Sequence, residues 1–189
     1  MEKKTALIIH GTAGSPGENW FPWLKGELEA RGFEVFVPQF PTPENQLPEN
    51  WFEIFDKYRG KLGPESILIG HSLGGAFLLR ALETLQTKVK AVVIVAAPVG
   101  VLPIKYYETD SPFIGKPFDW GKIRASAGKF LVFHSENDQY ICLGNGEKIA
   151  KELGVQLTLI PGGKHLNGEA GFLKFDKLLE RIDSEILEK

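Results

Sequence analysis

Short, continuously apolar runs recur along the chain, separated by longer stretches whose apolar positions fall at helical spacing. Six runs predict strands: Thr5–His10 (TALIIH), Glu34–Pro38 (EVFVP), Ser66–Gly70 (SILIG), Lys90–Ala97 (KAVVIVAA), Lys129–His134 (KFLVFH) and Gln156–Ile160 (QLTLI). Unbroken rather than alternating apolarity marks parallel strands covered on both faces. Between them, Asn19 is placed to cap a helix that begins near Trp20, admits Pro22 in its first turn and stops at Gly32. Further helices are predicted near Glu49–Arg59, over Gly74–Thr84, near Gly146–Leu153 and over Phe172–Leu187. Strand and helix alternating throughout predict an α/β fold, a three-layer α/β/α sandwich around a parallel sheet. One stretch breaks the rhythm: 98–119 (PVGVLPIKYYETDSPFIGKPFD) is rich in proline, glycine and aromatic residues. Long irregular loops in compact domains tend to be functional, so this segment is expected to form a small lid or pocket wall rather than a plain surface excursion.

Composition narrows the function class. The 189 residues suit a single domain over the whole chain, and 43% hydrophobic content supplies a sizeable core. A formal net charge of −2 with interspersed signs leaves no basic footprint for nucleic acid. The one cysteine, Cys142, excludes an internal disulfide and a cysteine-rich metal site. No window approaches the roughly 18 apolar residues of a membrane span, and the apolar run near the start is too short for a secretory signal. The expectation is a cytoplasmic protein needing no cofactor or metal, with no nucleic-acid or membrane partner.

The third strand leads into Gly-His-Ser-Leu-Gly, 70–74. A serine among glycines is often only a turn residue. Between a predicted strand and a predicted helix, however, the pattern fits a nucleophile elbow, a turn too tight for bulkier neighbours. Ser72 needs a base, itself oriented by a carboxylate, and in this fold they follow in the order serine, acid, histidine. Asp138 follows the fifth strand and His165 the sixth. Of the four histidines, His10 and His71 belong to their own turn motifs and His134 closes a strand, which leaves His165 as base. Glu136 shares the acid loop and is the competing carboxylate. The oxyanion donors are expected to be backbone N–H groups: Leu73, after the nucleophile, and Thr12, in the loop after the first strand, with Ala13 next.

At these residues the sequence resembles the α/β-hydrolase superfamily, and more narrowly the small serine hydrolases related to retinoblastoma-binding protein nine and bacterial YdeN. The resemblance rests on IHGTAGSPGENWFPWLKGEL, VPQFPTP, GHSLGG, HSENDQYI and GGKHLNGEAGF, in order along nearly the whole chain. It implies Ser72, Asp138 and His165 as catalytic triad. It also implies a reduced hydrolase fold of about six parallel strands in the order 2-1-3-4-5-6, without the two leading strands of larger hydrolases. The chain departs locally from the pattern: Cys142 stands where a proline often follows the acid.

The resulting expectation is a cofactor-independent serine hydrolase acting on a small ester, with amide or short-peptide substrates as further candidates. A protein-interaction module on a hydrolase scaffold, with an unidentified protein partner, is the competing class. Trp20, Tyr107, Phe113 and Trp120 are the candidate substrate-binding aromatics, core packing of the first helix being the alternative for Trp20.

Overall fold

The computed structural model describes residues Lys3 to Leu187. Six strands form one fully parallel sheet: β1 (Thr5–Ile9), β2 (Glu34–Phe36), β3 (Ile67–His71), β4 (Val89–Val95), β5 (Ala127–His134) and β6 (Leu157–Leu159). Their order is β2-β1-β3-β4-β5-β6, as the family resemblance implied. The four central strands bury residues on both faces, and each face has its own core. Leu7, Ile9, Leu68, Val92, Ile94 and Val132 point into one, while Ala6, Ile8, Ile69, Val93, Leu131 and Phe133 point into the other. This two-sided burial explains the unbroken apolar runs in the sequence.

Helices cover the faces unequally. α1 (Phe21–Ala30) and α7 (Asp176–Ile182) pack on the second face. The first face is covered by α2 (Pro48–Arg59), α3 (Leu73–Leu82), α4 (Tyr107–Ile114), α5 (Trp120–Ala125) and α6 (Leu143–Leu153). Because the order reverses between β1 and β3, the loops leaving these strands diverge to opposite sides. The crevice between them is where open α/β sheets bind ligands.

Several local expectations change. Asn19 does not cap α1; its backbone is left-handed (φ 54°) and its side chain accepts a hydrogen bond from Gly168 N–H. The helix starts at Phe21, with Pro22 in its first turn, and Gly32 takes the left-handed conformation just past its end. The final helix begins only at Asp176, because Gly171 turns the chain at φ 89°; it closes in a π-helical turn, Asp183–Leu187.

The segment 98–119 is largely ordered. It contains α4, a helix that tolerates Pro112 because Ser111 Oγ donates to the Glu108 carbonyl, which the missing proline N–H would otherwise have bonded. The segment is also pinned along its length. Asn145 on α6 accepts from Val99 N–H and Val101 N–H, and Ile104 forms an antiparallel bridge with Ile141.

Candidate active site

Ser72 joins β3 to α3 with φ 55° and ψ −130°, a region that a non-glycine residue occupies only under constraint. The constraint is steric. A Cβ at Gly70 would lie 2.6 Å from the Gly75 Cα, and one at Gly74 would collide with the Ile9 and His10 carbonyls. Only glycines at both positions let α3 turn back this tightly against β1, which lifts Ser72 above the carboxyl end of β3. Leu73 is the first residue of α3, so its N–H has no partner within the helix and belongs to its positive end.

The loop after β1 meets this turn. A Cβ on Gly11 would sit 2.6 Å from Ser72 Cβ and 3.0 Å from its Oγ, so the loop backbone lies directly against the serine. His10 is buried and holds the loop: its Nδ1 donates to the Gly11 carbonyl at 2.9 Å, while Nε2 accepts from Phe40 N–H at 2.9 Å. Thr12 and Ala13 line the same cleft as Ser72.

His165 and Ser72 line the same cleft, of about 530 Å³. His165 Nδ1 donates to Asp138 Oδ2 at 2.8 Å, leaving Nε2 as the basic nitrogen. The Asp138 side chain is fully buried, and its Oδ1 accepts from Tyr140 N–H (2.8 Å) and Ile141 N–H (3.0 Å), which fixes the carboxylate without a cation. Glu136, the competing acid, points away; it is exposed and accepts from Gly162 N–H at 2.8 Å. Cys142 stands at the start of α6, just after the acid loop. Its φ of −61° is an angle a proline would hold, and its N–H donates to the Pro103 carbonyl at 3.3 Å.

The histidine loop is strained on both sides of His165, with Lys164 at φ 47° and Leu166 at φ 52°. Three bonds from distant parts of the chain hold it. His71 Nε2 donates to the His165 carbonyl at 2.9 Å, Trp20 Nε1 donates to the Leu166 carbonyl at 2.9 Å, and Asn19 accepts from Gly168 N–H at 2.7 Å. His71 lies among Trp20, Phe21 and His165, and burial pushes its pKa down to about 3, so it is a neutral donor. The segment ENWF of the chain thereby fastens the loop that presents His165.

The candidate substrate-binding aromatics fall elsewhere. Trp20 is wholly buried and packs on Phe21 and Phe175. Phe113 is wholly buried on the other face, edge-on to Trp51, because the winding of α4 turns it inward. Tyr107 is 40% exposed and lies outside the cleft. Trp120 lies tilted against Phe118, their ring centres 5.3 Å apart, in the helix that precedes β5, and it does not line the cleft. The rings that do border the cleft are Tyr106 and Tyr140, stacked 6.0 Å apart, with Lys105 Nζ 4.0 Å from the Tyr140 ring centre. Tyr106 lies in the aromatic segment that the sequence marks as a pocket wall, beside the candidate Tyr107. Tyr140 was hidden in the acid loop. Glu18, Asn19, Asn167 and Glu169 add polar groups to the lining, and Glu169 accepts from the Tyr140 hydroxyl at 2.9 Å.

A family model described as serine hydrolase matches residues 6–184. The chain belongs to the serine hydrolase family. This serine hydrolase is 30% identical to the putative hydrolase YdeN of Bacillus subtilis over 171 residues, 89% of each chain. It is 27% identical to the serine hydrolase RBBP9 of Rattus norvegicus over 155 residues, covering 80% of this chain and 81% of the relative. The crystal structure of the B. subtilis ydeN gene product superposes with a TM-score of 0.91 at 27% identity, over 98% of this chain and 100% of that one. The serine hydrolase is thus an enzyme of the α/β-hydrolase fold. Among its described residues no helix is long and apolar enough to cross a membrane, and no cluster of metal-ligating side chains is present.

Proposed function

We propose that this serine hydrolase cleaves small esters through an acyl-enzyme, with Ser72 as nucleophile, His165 as base and Asp138 as its orienting acid. One observation carries the reading: a serine on a constrained elbow shares a cleft with a histidine whose Nδ1 is committed to a buried carboxylate at 2.8 Å. That commitment sets the tautomer in which Nε2 can accept a proton.

Ser72 Oγ attacks the acyl carbon as its proton passes to His165 Nε2, and the carbonyl π electrons move onto oxygen. The Leu73 and Thr12 N–H groups receive the resulting oxyanion. The intermediate collapses, the C–O bond to the leaving alkoxide breaks, and His165 returns the proton to that oxygen. Water then attacks the acyl-enzyme by the same steps in reverse, releasing the acid and restoring Ser72. Amide and short-peptide bonds follow the same route with nitrogen as leaving group. The modest cleft favours a small substrate, with Tyr106 and Tyr140 offering an apolar wall and the 98–119 segment contributing through Tyr106.

A panel of p-nitrophenyl esters of increasing acyl length, with aminoacyl amides beside it, tests the substrate class. Turnover of short esters by the wild type is expected. Ser72→Ala should lower kcat by about a millionfold if the three groups act as a unit, with His165→Ala adding little on top. Undiminished hydrolysis by Ser72→Ala would remove Ser72 from the nucleophile's role.

A further inference from the structure

A carboxylate taken out of water without a cation is costly unless its hydrogen bonds serve some arrangement that needs it. Asp110, on α4, is only 1% exposed, and no ion pair to it is found among the described residues. Its Oδ1 accepts from Thr12 Oγ1 at 2.7 Å, from the buried Gln46 Nε2 at 3.1 Å and, more distantly, from Thr109 Oγ1 at 3.4 Å. Burial raises its pKa, the three donors acting against that rise.

The network continues into the loop beside Ser72. Gln46 Oε1 accepts from Thr42 Oγ1, and Thr42 Oγ1 accepts in turn from the Ala13 N–H at 2.7 Å. Asp110 therefore grips two successive residues of one loop, Thr12 directly and Ala13 through Gln46 and Thr42. Ala13 needs the grip, since it is held at φ 55°, a left-handed conformation that alanine does not keep unaided. Thr12 is the residue whose N–H the proposed reaction uses, and the neighbouring Gly11 rests on Ser72. From the other side His10 ties down only the Gly11 carbonyl.

We propose that Asp110 is the positioning residue of the oxyanion loop, its buried carboxylate fixing the Thr12–Ala13 backbone so that the Thr12 N–H faces the oxygen on which charge develops. The inference rests on the reading of Ser72 as nucleophile and Thr12 as donor. The Thr12 side chain then matters although only its backbone meets the substrate. Donors aimed at the oxyanion act chiefly in the transition state, and displacing one by an ångström costs on the order of a hundredfold in rate.

The test compares wild type, Asp110→Ala, Asp110→Asn and Thr12→Val with p-nitrophenyl acetate as substrate and phenylboronic acid as tetrahedral mimic. Asp110→Ala and Thr12→Val should each lower kcat roughly 10- to 100-fold with KM within about twofold. Affinity for the boronate should fall by a similar factor, and the double variant should be little worse than either single one. Asp110→Asn keeps the oxygen that Thr12 and Gln46 use and should retain most of the activity. A merely structural anchor would lower the melting temperature without this split between kcat and KM and without selective loss of boronate binding. Should Asp110→Ala not fold, Thr12→Val must show the same pattern alone. An active wild type with unimpaired Asp110→Ala and Thr12→Val overturns the inference alone. A wild type inert to ester and boronate alike overturns the hydrolysis reading, and this inference with it.

Discussion

Replacing Asp138 by asparagine separates the orienting acid from its neighbour Glu136 and has a size that follows from the geometry. The Asp138 Oδ1 bonds to Tyr140 N–H and Ile141 N–H are kept by the asparagine oxygen, so the loop should hold its shape. The amide nitrogen then replaces Oδ2, the atom that accepts from His165 Nδ1 at 2.8 Å. A donor facing a donor is untenable in a fully buried position, so His165 must move its proton to Nε2. That tautomer has no lone pair with which to take the Ser72 proton. A comparable change of tautomer in a serine protease costs about 10⁴ in kcat, which corresponds to roughly 5.5 kcal/mol of barrier. Glu136→Gln, at an exposed side chain that accepts from Gly162 N–H, should change kcat by no more than about twofold. Steady-state kinetics on a short p-nitrophenyl ester, with melting temperatures as the check on folding, measure both. Folded Asp138→Asn with near wild-type turnover, or a larger loss in Glu136→Gln, would refute the reasoning.

Tyr106→Ala should raise KM for longer acyl chains with kcat little changed, by a factor of about 5 if half a ring's apolar contact is lost; chain-length profiles read it, and an unchanged preference would remove Tyr106 from the pocket wall. Trp20→Phe removes the donor to the buried Leu166 carbonyl, so unfolding free energy should drop by about 1–3 kcal/mol and kcat should fall as the His165 loop loosens. Stability should also decline on acidification. Burial lowers the pKa of His10, of His71 to about 3 and of His134 to about 4. The unfolded chain binds these protons near pH 6.5 while the folded one does not, so their contribution is complete above pH 6.5 and lost as pH falls through the folded values, about 4 for His134 and about 3 for His71. His71 and His134 each contribute a slope of about 1 kcal/mol per pH unit near pH 5, so unfolding free energies from urea titrations should depend on pH less steeply in His71→Gln than in wild type, by one such slope.

The sheet was legible because its central strands are buried on both faces, and nothing but continuous apolar residues meets that demand. Ser72, Asp138 and His165 were legible as candidates because each follows a strand, in an order that the crossover topology maintains. The pocket was not. Whether Phe113 or Tyr106 faces the cleft depends on α4, a helix that its proline concealed, and half a turn exchanges core for solvent. Trp20 reads as a pocket aromatic beside the oxyanion loop, yet its indole N–H serves a carbonyl 146 residues away. Asp110 and Thr12, 98 residues apart, are joined only by folding, and no local pattern announces such a pair.

The central claim is that Ser72 is a nucleophile activated by His165. A fluorophosphonate probe measures it directly, with intact-mass and peptide analysis of the adduct. One adduct per chain is expected, on the peptide carrying Ser72, absent from folded Ser72→Ala and greatly slowed in His165→Ala. An adduct on another residue, labelling that survives in Ser72→Ala, or no adduct on the folded wild type would contradict it.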